Sequence, residues 1–130
     1  MKKFQTIYFS IIFTALILSN FEICFAEDLR FIDANGDTGY YVDASTIQVE
    51  SDSVFRVDLD IIRASINQME VINLRIDHWN KTYEILSVRT LSYDERTELR
   101  SDNNRRLPAS YAEKSLIGEV AHFVVYGSLD

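Results

Sequence analysis

Between Leu29 and Arg100 the apolar residues recur with the two-residue period of β-strands, and after Ser110 the period becomes helical. The clearest strand runs from Val54 to Arg63, with Phe55, Val57, Leu59 and Ile61 on one face and Arg56, Asp58 and Asp60 on the other. Val71–Trp79 repeats this: Ile72, Leu74 and Ile76 oppose Asn73, Arg75 and Asp77. One dry and one wet face is the mark of an antiparallel sheet covered on a single side. The spacing lets Arg56, Asp58 and Asp60 meet Arg75 and Asp77 across the wet face as weak, register-keeping surface pairs.

Shorter strands are expected at Leu29–Ile32 and Tyr40–Val42, around the hairpin signal Asn35-Gly36. The acidic stretch Asp33–Asp43 also invites a calcium-loop reading, since Asp33, Asn35 and Asp37 fill ligand positions one, three and five. Position six is then Thr38 and position twelve Ala44, where that loop requires Gly and Glu. The hairpin is therefore preferred, with Asp33 and Asp37 bonding their own backbone. A turn at Asn80-Lys81 leads into Thr82–Tyr93, where Tyr83 and Ile85 take one parity and Leu86 and Val88 the other, so a bulge is expected near Ile85–Leu86. Asn80-Lys81-Thr82 also has the form of a glycosylation acceptor, but the turn accounts for the Asn. Asp94–Thr97 makes a turn, Glu98–Arg100 a return strand and Ser101–Arg106 a polar loop.

Ser110 and Glu113 have capping-box spacing, which predicts a helix starting there, after an extended approach set by Pro108. Leu116, Ile117, Val120, Phe123 and Val124 form its apolar stripe, against Lys114, Ser115 and Glu119. Gly118 costs about 1 kcal/mol in a helix interior relative to Ala, and close approach to the sheet would explain it. Gly127 marks the end. So short a helix needs a partner surface, and the dry face of the sheet is available. The expected fold is α+β: an antiparallel meander sheet of about six strands with one C-terminal helix packed on its apolar face.

The first 26 residues change the compartment. Lys2-Lys3, the apolar run Phe4–Phe21 and small Ala26 follow the order of a secretory signal peptide, with cleavage expected after Ala26; an uncleaved anchor is the alternative. Residues 27–130 then form a single domain. Cys24, the only cysteine, leaves with the leader, so cysteine chemistry and disulfides are excluded from the exported domain. The chain has 20 acidic and 13 basic residues; losing Glu22, Lys2 and Lys3 leaves 19 and 11, a net charge of −8. That field disfavours nucleic acid and anionic lipid, and no stable membrane insertion is expected once the leader is gone. The destination is the periplasm, the cell surface or the medium.

Several motifs together resemble the surface-adhesin protein E family of exported Gram-negative proteins. They are Tyr40-Tyr41-Val42-Asp43 followed by Ala44-Ser45-Thr46-Ile47, the strand Val54-Phe55-Arg56-Val57, the hairpin Ile76-Asp77-His78-Trp79-Asn80-Lys81-Thr82-Tyr83, Tyr93-Asp94, and Leu107-Pro108-Ala109-Ser110-Tyr111-Ala112-Glu113. The resemblance spans most of residues 29–124. It implies a six-stranded antiparallel sheet carrying a C-terminal helix, and host-surface or matrix binding by at least some members. Two departures stand out. The cysteines that often tie helix to sheet in the family are replaced by the neighbourhoods of His78 and Ala121-His122, so the helix should dock by packing alone and be easier to release. The turn Asp94–Thr97 also lacks the family's usual glycine.

His78 and His122 are the only histidines, and docking of the helix would bring them near each other. With Asp77 they would be the makings of a small periplasmic hydrolase or a metal site, but a strand-end and a helix-flank role suffice for them. No serine elbow, zinc-protease helix or phosphate loop occurs, so no enzyme, cofactor or metal is expected. Tyr40, Tyr41, Trp79 and Tyr83 are the candidate binding residues, because aromatics bury large area at low entropic cost; sheet packing is their competing role. The expected function is an exported envelope or cell-surface binding or assembly module. Its partner would be another protein or a second copy, a homodimer being the commonest closed assembly, reached by sheet-edge pairing or aromatic contact. A structural envelope protein that binds only itself is the alternative.

Overall fold

The computed structural model describes residues 26–127, so the expected leader lies outside the described residues apart from Ala26. Six strands pair in chain order, each antiparallel to the next: β1 (Leu29–Asn35), β2 (Thr38–Val49), β3 (Val54–Arg63), β4 (Gln68–Asp77), β5 (Thr82–Ser92) and β6 (Glu98–Asp102). A two-residue strand, β7 (Ala109–Ser110), returns to pair with Thr82 and Tyr83 at the start of β5. The helix α1 (Leu116–Tyr126) then packs on the sheet, burying Val120 and Ala121 among Val42, Phe55, Val57, Leu59, Leu74 and Ile76. This is the expected α+β meander with one helix on its apolar face.

Local chemistry explains where each strand bends. The first hairpin turns one residue later than expected: Asn35 pairs with Thr38, leaving Gly36-Asp37 as the loop. Gly36 takes φ +58° and Asp37 no positive φ, the pattern of a type II′ turn with Gly at its first central position. Asp33 accepts from the Ala34 amide at 2.8 Å, a short-range backbone bond of the expected kind. The bulge in β5 is where the parity switch places it: Asn73 pairs with Ser87 and Leu74 with Ile85, leaving Leu86 unmatched.

β2 runs far beyond Val42. Asp43 pairs with Asp58, and the next matched pair is Gln48 with Arg56. Thr46 closes the gap: its hydroxyl donates to the Asp43 carbonyl and accepts from the Asp58 amide, both at 2.8 Å. A side-chain oxygen thus replaces a rung of the ladder, leaving neither backbone group unpaired.

Three expectations are corrected. First, the second face of the sheet is not uniformly wet. Ile62, Met69, Val71 and Leu91 form a second apolar cluster there, with Leu29 and Tyr41 against it. Asp60 has Tyr41 and Val71 as its cross-strand neighbours, so it is only 2% exposed. The foreseen Asp–Arg pairs do not form either. Arg56 sits directly opposite Arg75, a repulsive placement that Glu50 resolves by bonding both guanidinium groups. The hydrogen bond from Arg75, with help from Arg56, holds Glu50 below the usual carboxylate range.

Second, the helix begins later than the Ser110 capping box predicts. Ser110 lies in β7, and the N-cap is Ser115, whose hydroxyl accepts from the Gly118 amide at 3.1 Å. Gly118 is required by the preceding turn rather than by the sheet: a β-carbon there would meet the carbonyl oxygens of Ala112 and Glu113 at 2.3 Å. Gly127 does end the helix, at φ +75°. Third, β4 starts at Gln68 and stops at Asp77, so His78 and Trp79 belong to the following turn. The Asp94–Thr97 turn dispenses with glycine by placing Arg96 at φ +58°.

Candidate binding cleft between the helix and the β4–β5 turn

The turn after β4 is organised by one side chain. Asp77 Oδ1 accepts from the amides of Trp79 and Asn80 at 3.2 and 3.1 Å, and Oδ2 from the Asn80 side-chain amide at 2.8 Å. Those bonds, led by the Asn80 side chain, hold the Asp77 carboxyl below its ordinary range. Lys81 completes the reversal at φ +53°. The turn projects Trp79 into solvent, 67% exposed. His78 stays half-buried: its amide donates to the Ser53 carbonyl at 2.9 Å, and its Nε2 lies 3.1 Å from the Asp52 carbonyl, which makes Nε2 the protonated nitrogen of that contact. Its ring stands 6.3 Å from Phe55 and 6.2 Å from Trp79.

The chain segment before α1 forms the facing wall. β7 fixes it to β5, the Tyr111 amide donates to the Lys81 carbonyl at 2.9 Å, and Lys81 Nζ pairs with Glu113. The lysine bond holds the Glu113 carboxyl low. Tyr111 packs on Tyr83 with ring centres 6.5 Å apart, while burial pushes the Tyr111 phenol up. On the helix, His122 packs on Tyr126 at 4.7 Å. Between turn, linker and helix lies a cleft of about 260 Å³ lined by His78, Lys81, Tyr111, Glu113, His122 and Tyr126, with Gly118, Ala121 and Val125. Its lining carries exposed apolar surface, Val125 at 40% and Tyr126 at 71%, and exposed Trp79 stands next to His78.

No family model, curated protein or solved structure matches the chain. The chemistry of the site must therefore be read from its own residues. The volume falls below the ~300–1,000 Å³ of sites that enclose a small molecule. The cleft's lysine and glutamate neutralise each other as an ion pair.

The expected site residues divide among three places. Trp79 is exposed beside His78, outside the residues that line the cleft, and Tyr83 supports the cleft through Tyr111. Tyr40 packs against the main core, and Tyr41, on the opposite face, meets Phe31 edge-on at 5.8 Å. His78 and His122 do line one cleft, as helix docking implies, but Asp77 turns its carboxylate back into its own turn. Among the described residues no three of His, Cys, Asp or Glu converge as a metal-binding group. Glu113 was expected only as a helix cap, and Tyr111 and Tyr126 only as tyrosines suited to an interface and not among the four candidate binding residues; their meeting depends on how β7 and the helix dock, which only the fold reveals.

A larger basin, about 580 Å³, opens on the other face, lined among others by Glu27, Asp43, Asp58, Asp60, Asn73, Arg89 and Arg96. Asp43 is buried but well served: its Oδ1 accepts from the Asp28 amide at 3.0 Å and from the Ser45 amide and hydroxyl at 3.1 and 2.6 Å. Asp58 accepts from the Asn73 side chain at 2.8 Å, yet burial still raises its carboxyl. Asp60 has less help: its Oδ1 is buried with no hydrogen-bond partner. Burial, and then the neighbouring Asp58, Asp43 and Glu27 carboxylates, push it up to about 7.

Proposed function

We propose that this chain is an exported binding or assembly module of the cell envelope or surface, holding a protein partner at the cleft between α1 and the β4–β5 turn. The observation that carries the reading is the exposure of Val125 and Tyr126 in the lining of one concavity, with exposed Trp79 next to its lining residue His78. Large aromatic groups left in water beside a pocket are what protein interfaces use as anchors. The resemblance to the surface-adhesin protein E family and the leader-like residues 1–26 support the location. The net charge of −8 on residues 27–130 favours a protein over nucleic acid as partner.

Sheet-edge pairing is the weaker vehicle. β1 is interrupted where the register skips Ile32 between Phe31 and Asp33, and β6 is five residues long. Short and bulged edges resist strand addition. A photo-crosslinking residue at position 79 or 126, installed in the native envelope, should capture a specific protein, and a control at Leu99 on β6 should not. Trp79→Ala and Tyr126→Ala should each weaken capture at the other position at least tenfold. Capture at Leu99 with none at 79 or 126 would overturn the cleft reading. Capture of this chain alone would favour the self-associating structural protein. Intact-mass measurement of the exported protein should find Glu27 as its first residue.

A further inference from the structure

Asp60 Oδ1 is a buried carboxylate oxygen with no hydrogen-bond partner, inside a basin that supplies donors to its neighbours. Three donors that line the basin are already committed: the Asn73 amide to Asp58, the Arg56 guanidinium to Glu50, and that of Arg96 to Glu27 at 3.1 and 3.2 Å. Arg89 lies across β4, paired with Val71, two strands from Asp60. A buried carboxylate in this condition calls for a cation.

The start of the domain runs into the same basin. The Asp28 amide donates to Asp43 Oδ1 at 3.0 Å, and the Ala44 amide donates to the Asp28 carbonyl at 2.8 Å, so residue 28 is fixed in β2's register. Successive backbone nitrogens are at most about 3.7 Å apart, so the Glu27 nitrogen lies within about 7 Å of Asp43 Oδ1. In the uncut chain that nitrogen is a neutral amide. Cleavage after Ala26 makes it an ammonium with three donors.

We propose that the basin is a binding site for a primary ammonium group and that its occupant is the protein's own N-terminus, created when the leader is removed after Ala26. The proposal rests on the export reading above. The groups facing the ammonium are Asp43 from β2, Asp58 and Asp60 from β3, Arg89 from β5, Arg96 from the β5–β6 turn, and the side chain of Glu27 itself. Arg56 also lines the basin but is paired with Glu50, and four carboxylates against three guanidiniums still leave a field that favours a positive newcomer. The site also reads the cut position: an extra residue at the front carries the ammonium about 3.5 Å away. Leader removal would thereby complete the charge pairing of the sheet's second face.

The test uses the protein exported with its own leader and purified after processing. Intact mass identifies its first residue, and the α-amine is titrated by competitive acylation, with Lys81 and Lys114 as internal references. The amine should titrate at least one unit above the ordinary α-amino value of about 7.7–8.0. Asp60→Asn should abolish most of that shift, and so should a glycine inserted between Ala26 and Glu27, which leaves the basin untouched if the Asp60 variant folds poorly. A first residue other than Glu27 overturns the export reading and with it this occupant. Glu27 as first residue with an ordinary amine, or the same shift in both variants, overturns the docking alone.

Discussion

Replacing Gly118 with alanine distinguishes a packed helix start from an ordinary one by the sign of the effect. In an unencumbered helix the change stabilises by about 1 kcal/mol, because alanine loses less backbone entropy. Here the added carbon would overlap the Ala112 and Glu113 carbonyl oxygens at 2.3 Å and the Glu113 carbonyl carbon at 2.6 Å. No rotamer relieves a clash with backbone, so the cost belongs at the upper end of overpacking penalties, about 3 kcal/mol. Net of the propensity gain, Gly118→Ala should destabilise by about 2 kcal/mol, roughly 8–16 °C in Tm for a domain of this size. The relief must come from the 112–115 turn, so Tyr111 and Glu113 should move and partner capture at position 126 should fall as well. Urea titration and a thermal scan measure the first effect, and photo-crosslinking the second. A variant as stable as its parent, or more so, would show that the helix start accepts a β-carbon and would refute the packing argument.

Thr46→Val should cost about 2–4 kcal/mol in urea denaturation, since it leaves the Asp43 carbonyl and the Asp58 amide unpaired, whereas Thr46→Ser should stay within about 1 kcal/mol of the parent. Equal losses in the two variants would refute the hydroxyl rung. Asp77→Ala should free the β4–β5 turn, seen as faster hydrogen exchange at the Trp79 and Asn80 amides and as weaker partner capture with little loss elsewhere in the sheet. With the N-terminus acetylated, Asp60 keeps its raised pKa, so the folded state holds a proton that the unfolded state releases between pH about 4 and about 7. Stability should then fall as pH rises through that window, and Asp60→Asn should flatten the profile.

Much of the sheet was legible because period-two patterning is a direct image of burial. Val54–Arg63 appears with the expected ends, and the bulge at Leu86 follows from a change of parity that any reader of the pattern can find. The misreadings have a common cause in contacts between distant segments. Asp60 has the parity of a surface residue, and only the meeting of Tyr41 with Val71 around it encloses it. Ser110 has capping-box spacing, but two pairs between β7 and β5 hold it in a strand, and Ser115 caps the helix instead. The cleft was half legible: the histidines and Trp79 were visible as candidates, while Tyr111 and Tyr126 needed the path of the linker.

The left-handed turn residues have a consequence for how the chain ends behave. Lys81 and Arg96 occupy backbone conformations in which glycine would be more comfortable, at φ +53° and +58°. Each uses its side chain to grip a segment distant in sequence: Lys81 takes Glu113 before the helix, and Arg96 takes Glu27 at the front. Glycine at either place would ease the turn while releasing that segment. Fraying and proteolytic access are thereby resisted at two hairpin tips where local comfort has been exchanged for a long-range tether.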